Sequence, residues 1–100
     1  MRIIAKRTLR KFWEDHPQGG GARSALESWH AEVIHAAWAG PAEVKAMYGD
    51  ASILKRGRVV FNIAGNKYRV VVHINYPYRI VFIRFVGTHR EYDAIDVETI

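Results

Sequence analysis

The apolar positions of this chain change period near its middle, and the change predicts two kinds of structure. In the first half they recur at helical spacing. Leu9, Phe12 and Trp13 share one side of a segment starting at Thr8, and Pro17-Gln18-Gly19-Gly20-Gly21 stops it. Leu26, Trp29, Val33 and Ile34 form the apolar face of a second helix, with Ser24 as its N-cap and Gly40-Pro41 as its end. Pro41 then suits the first position of a short third helix, "PAEVKAMYG", where its missing N–H costs nothing. Ahead of these helices, Ile3 and Ile4 open a short strand.

In the second half the period drops to two. "RVVFNI", "YRVVVHIN" and "RIVFIRFVG" are rich in β-branched and aromatic residues and are bounded by "AGNK" and "YPYR". They predict a three-stranded antiparallel meander from about Arg58 to Gly87. The class is α+β: N-terminal helices packed on a small antiparallel sheet, the C-terminal meander plus the short N-terminal strand. With no internal repeat and no linker, residues 1–100 form a single domain.

Four-residue loops at Ala64–Lys67 and Tyr76–Arg79 set a register for the meander. Asn62 then faces Arg69, His73 faces Phe82 and Val71 faces Arg84. One sheet face carries Phe61, Ile63, Tyr68, Val70, Val72, Ile74, Val81, Ile83 and Phe85, and this is the core. The other face carries Asn62, Arg69, His73 and Arg84. Arg69 and Arg84 become diagonal neighbours within reach of one phosphate. Two buried cations without an anion are costly. The face is therefore either open to water, with arginine stems packed along it, or built for a negative ligand.

Charge bears on that choice. The net charge is +5, and ten of the fifteen cations are arginine, whose planar fork suits phosphate better than a lysine does. Such a balance fits a nucleic-acid binder or a module that docks an acidic protein. Without cysteine there is no disulfide framework and no thiolate metal site. His30 and His35 are five apart, off a shared helix face, and no His-Glu-x-x-His motif or acidic triad occurs, so neither metal nor cofactor is expected. The N-terminal "MRIIAKRTLRKFW" lacks the apolar run of a signal peptide, and no segment approaches the ~20 residues of a membrane span. No membrane association is expected, and the compartment predicted is the cytoplasm. His16, before Pro17, reads as a helix-terminal cation, and the three tryptophans at helical positions read as core.

The stretch "GTHREYD" follows the last apolar run. Thr88 and Glu91 have the spacing of a helix capping box. On a helix starting there, His89, Tyr92 and Asp93 share a side and meet the edge of the arginine face. Cleaving RNA needs a 2′-hydroxyl deprotonated, the extra phosphate charge stabilised and the leaving 5′-oxygen protonated. Histidine, with an ordinary pKa near ~6.5, moves protons near neutrality. Arginines supply the electrostatic part. Tyrosine stacks on a base or donates a hydrogen bond, and Asp93 is placed to orient His89.

The segment "VVFNIAGNKYRVVVHINYPYRIVFIRFVGTHREYD" closely resembles the HigB-type toxins of bacterial toxin–antitoxin pairs, a branch of the RelE-like ribonucleases. "FNIAGNKYRVV" and "IRFVGTHREYD" are its most specific phrases, and "MRIIAKRTLRKFWEDHP" also fits. The resemblance implies an mRNA endonuclease that works on the translating ribosome in the bacterial cytoplasm. It also implies neutralisation by a cognate helix-turn-helix antitoxin. By the same resemblance Arg69 contacts the scissile phosphate, Tyr92 is the C-terminal active-site tyrosine and His89 stands where the HigB branch has a histidine. RelE enzymes carry lysines in the preceding strand, whereas "VVFNI" has none, leaving Lys67, Arg84 or His89 for the general base. The candidates are thus Arg69, His89, Tyr92 and Arg84 for catalysis, with Asn62, Lys67, His73 and Asp93 holding substrate. A non-catalytic basic module for RNA or protein, and a degenerate toxin serving only as antitoxin partner, are the alternatives.

Overall fold

The computed structural model describes all 100 residues. Strand β1 (Arg2–Ile4) leads into helix α1 (Lys6–Asp15), followed by a 3₁₀ turn at Gly19–Ala22, helix α2 (Arg23–Ile34) and helix α3 (Pro41–Met47). Strands β2 (Ser52–Ile53), β3 (Arg58–Ile63), β4 (Tyr68–Asn75) and β5 (Ile80–Thr88) come next, and a one-turn helix, α4 (His89–Asp93), closes the regular structure. The α+β class holds, and the sheet is larger than the patterning predicts. It has five strands in the order β1-β5-β4-β3-β2, with β1 parallel to β5. Strand β2 escapes notice because two residues show no period.

The helical half starts and stops differently from expectation. Ser24 does not cap α2: the 3₁₀ turn runs straight into Arg23, and its tighter bonds replace a side-chain cap. The glycine run lies against the end of α1, where a Cβ on Gly19 would sit 1.9 Å from the Phe12 carbonyl oxygen. Only glycine fits there. Helix α2 ends at Ile34 rather than at Gly40, and the segment beyond it plugs Trp38 into the core. The Met1 ammonium donates to the carbonyls of Val33, Ile34 and Ala36, satisfying the free end of that helix. Pro41 opens α3 as predicted.

The core lies between the helices and one sheet face. Leu9, Leu26, Val33, Val44, Val59, Val70, Val72 and Val81 are completely buried in it. Trp29, Trp38 and Tyr48 surround Phe61 with ring centroids 5.1–6.1 Å away. Burying aromatic rings of this size dominates the energetics of a domain this small. Trp13 packs at its margin.

The β3–β4 register is the predicted one, with Asn62 opposite Arg69 and Ile63 opposite Tyr68. The β4–β5 register starts as predicted, with Asn75 opposite Ile80 and His73 opposite Phe82. It then slips. Val72 pairs with Ile83 but Val71 pairs with Phe85, leaving Arg84 as the extra residue of a β-bulge. Val81 and Ile83 face the core and Val86 rejoins it three residues later, so Phe85 moves to the outer side with Val71. Phe85 is therefore not a core residue. Arg69 now faces Gly87, three residues from Arg84, and the diagonal arginine pair is not formed.

Candidate nucleic-acid interface at helix α4

Helix α4 is too short to be stable alone, and its neighbours hold it. Thr88 Oγ1 accepts from the Glu91 N–H at 3.2 Å while Glu91 Oε1 accepts from the Thr88 N–H at 2.9 Å, so the expected capping box is complete. Glu91 has a second partner, His16 at the end of α1, whose Nε2 lies 2.9 Å from Glu91 Oε2. The Gln18 N–H donates to His16 Nδ1 at 3.0 Å, which puts the proton of neutral His16 on Nε2, facing the carboxylate. The Thr88 N–H, and then His16, hold the Glu91 carboxyl below the usual carboxylate range. The His89 N–H donates to the Lys67 carbonyl at 2.9 Å, tying α4 to the β3–β4 loop.

These anchors leave the His89 imidazole half-exposed, with its Nδ1 3.0 Å from Asp93 Oδ2. A proton on Nδ1 directed at Asp93 leaves Nε2 free to accept one. Lys67, His89 and Arg90 line a groove of roughly 470 Å³ with Gln18, Tyr68 and Thr88. The apolar floor is closed by Tyr68, whose hydroxyl donates to the Gln18 carbonyl at 2.9 Å. The groove thus combines a proton-transfer group with two cations.

Arg69 lies beneath. It is the one charged side chain in the buried interior, at 8 % exposure. Its Nη1 donates to the carbonyls of Asn66 and Tyr68 at 3.2 and 3.3 Å, and its Nη2 donates to Asn66 Oδ1 at 2.5 Å. Its charge also sits 5.8 Å from the centre of the Tyr92 ring. The face is therefore neither open to water nor bare at this point. The β3–β4 turn solvates the guanidinium, and Arg69 in turn fixes that turn and supports Tyr92.

The remaining candidates go elsewhere. Asn62 stands opposite Arg69, but its amide donates to the backbone and side chain of Asp50 at 3.2 and 3.3 Å. Arg84 is exposed on the bulge, with its guanidinium 5.7 Å from the Phe82 ring centre. His73 lies four residues along β4 from Arg69, or about 13 Å. Burial, and then the charges of Arg84 and Arg58, push its imidazole below the ordinary histidine range. The structure thus brings Lys67 and His89, with Asp93 on His89, to a groove beside the core-face Tyr68, and places Arg69 with Tyr92 on the other face of β4. Asn62 turns away, and Arg84 and His73 sit at the far end of that face. Sequence reasoning missed Arg90, Asn66 and the His16–Glu91 link. Arg90 was visible inside "THREYD", but nothing in the string joins His16 to a residue 75 positions away.

A sequence profile of the HigB toxin family, described as the RelE-like toxic component of a toxin–antitoxin system, matches residues 22–95. The chain belongs to the HigB toxin family. Its similarity extends to the mRNA interferase toxin HigB of Escherichia coli strain K12, 28% identical over 95 residues, covering 93% of this chain and 88% of that protein. The mRNA interferases HigB of Escherichia coli O157:H7 and Shigella flexneri match to the same extent. The profile takes in β3, β4, β5 and α4, and so every candidate residue from Asn62 to Asp93.

Proposed function

We propose that this HigB-family toxin is an endoribonuclease that cleaves mRNA in the α4 groove. The observation that carries the reading is the His89–Asp93 pair standing 3.0 Å apart beside Lys67 and Arg90. The names of the E. coli and Shigella relatives support the same activity.

In this reading His89 Nε2 takes the proton from a 2′-hydroxyl, with Asp93 steadying the resulting imidazolium. The 2′-oxygen forms a bond to phosphorus as the bond to the 5′-oxygen breaks, leaving a 2′,3′-cyclic phosphate and a 5′-hydroxyl. Lys67 and Arg90 offset the extra phosphate charge, and the Lys67 ammonium supplies the proton the leaving 5′-oxygen takes up. Tyr92, backed by Arg69, offers a stacking face for a base. Side chains cover every step, so the reaction is expected to proceed without a divalent ion. The substrate is delivered by the translating ribosome in the bacterial cytoplasm, and a cognate helix-turn-helix antitoxin holds the toxin inactive. No helix is long and apolar enough to cross a membrane.

Induced expression should arrest growth, and mapped mRNA ends should carry 2′,3′-cyclic or 3′-phosphates. The same cleavage should survive chelation in a reaction whose ribosomes stay intact. Growth arrest without new RNA ends would sink the nuclease reading. Neither arrest nor cleavage would favour an inert toxin kept as antitoxin partner.

A further inference from the structure

The distal end of the outer face holds a second concentration of positive charge. The β2–β3 turn contributes Lys55 and Arg56, the start of β3 contributes Arg58, and the bulge contributes Arg84. Lys55, Arg56 and Arg58 line a recess of about 260 Å³ with Glu98 and Thr99, and the two arginines also border the hollow beside His73. The protein has three ion pairs, His16–Glu91, Arg23–Glu27 and His89–Asp93, and none includes these four cations. Glu98 is the facing carboxylate, and it makes no ion pair. Arg58 instead donates twice to the Ile100 carbonyl oxygen, at 3.0 and 2.7 Å.

Two further observations mark the zone. Arg56 and Gly57 both have left-handed backbone, at φ +60° and +73°. A non-glycine residue there is costly and turns Arg56 outward at the tip of the loop. His73 Nδ1 is buried without a hydrogen-bond partner, and its ring feels the charges of Arg84 and Arg58. Arg58 is held by Ile100, whereas Lys55 and Arg56 beside it and Arg84 across His73 have no acidic partner of their own. The bulge brings Arg84 to this end.

We propose that Lys55, Arg56, Arg58 and Arg84 form a second phosphate-binding subsite, which grips the substrate RNA strand away from the bond being cut. The subsite rests on the reading of the α4 groove as an RNA-cleaving site. Arg69 and His73 point to the same side of β4, about 13 Å apart, and Tyr92 of α4 stands against Arg69, so a strand leaving the α4 groove past Tyr92 runs along this face toward the distal cations. Backbone contacts of this kind position a strand without reading its bases. The distal grip thus adds affinity and register, and the α4 groove performs the chemistry.

The test uses a fluorescent single-stranded RNA of about ten nucleotides, 2′-O-methylated throughout so that it cannot be cleaved. Its binding is followed by anisotropy across a salt series. Lys55→Gln/Arg56→Gln/Arg84→Gln removes three exposed cations and keeps a polar head on a shorter aliphatic stem, and an unchanged Tm verifies the fold. At roughly 0.7 salt-slope units per contact, the slope should fall by about 2, and affinity at about 0.1 M salt should drop on the order of 30- to 100-fold. Arg7→Gln/Arg10→Gln/Lys11→Gln on α1 loses the same net charge and should weaken binding several-fold less. Equal losses in both variants would mean that net charge alone acts, and would overturn the subsite. So would unchanged binding by the distal variant, including the case in which it loses only co-sedimentation with ribosomes. Cleavage of mRNA by the wild type on translating ribosomes is scored separately: its absence sinks the proposed activity, whereas unchanged probe binding sinks the distal subsite alone.

Discussion

The two ends of the outer sheet face are built on opposite principles. At the α4 end the carboxylates, imidazoles and buried guanidinium are partnered, with only the Lys67 and Arg90 charges left unpaired: Glu91 serves Thr88 and His16, Asp93 meets His89, and Asn66 wraps Arg69. At the distal end Lys55, Arg56 and Arg84 have no acidic partner and His73 Nδ1 is orphaned. Chemistry needs reacting groups held in place before substrate arrives. A grip on a flexible strand needs available charge more than fixed geometry, so unpaired cations suit it. The contrast teaches that satisfied and unsatisfied polar groups on one surface mark different jobs.

The largest effect should come from the proton-transfer group. His89→Gln should stay folded, with Tm within a degree or two of wild type, and should cleave about 10²–10⁴-fold more slowly. Full activity in the folded variant would remove His89 from the chemistry and leave the α4 end without a general base.

Next comes the anchoring of α4. Thr88→Ala deletes one half of the capping box and should cost roughly 0.5–2 kcal/mol in a denaturant titration. Glu91 gives the pH counterpart. Its folded pKa lies below the usual value, so its contribution is complete above about pH 4.5 and is lost as pH falls through the folded pKa. Glu91→Gln should flatten that acid limb of the stability curve. An unchanged limb would show that the His16–Glu91 link does not fasten α4.

A smaller effect, in a different pH range, belongs to the distal end. The folded pKa of His73 is depressed, so between it and about 6.5 the unfolded chain binds more protons than the folded one. Stability is therefore complete above about pH 6.5 and declines as pH falls toward the folded pKa. His73→Phe should erase the decline below about pH 6.5, read from Tm against pH. An identical slope in the variant would place the sensitivity elsewhere.

The smallest change concerns the turn that wraps Arg69. Ala64 holds φ +53° next to Gly65 at +70°. Ala64→Gly relieves that backbone at some cost in unfolded-chain entropy, for a net gain of about 0.5 kcal/mol. A loss of stability would show that the Ala64 methyl packs usefully at the locked end.

Patterning by itself determined the class, the three long strands, the β3–β4 register and the capping box at Thr88. Each depends on residues near one another in the chain: alternation selects a strand, a four-residue loop sets a hairpin, and Thr-x-x-Glu closes its own bonds. The candidate groups His89, Tyr92 and Asp93 were legible for the same reason, since five consecutive residues bring them onto one turn. Only the tertiary structure decided where Arg84 points, because "RIVFIRFVG" is apolar on both faces and carries no mark of the extra residue. It likewise decided that Asn62 serves Asp50 and that Asn66 occupies Arg69. The docking of α4 depends on His16, and Glu91 comes within 2.9 Å of it only after the helical half has folded onto the sheet. Periodicity reports which side of an element is buried, whereas the partner of a polar side chain is chosen by whatever the rest of the fold places beside it.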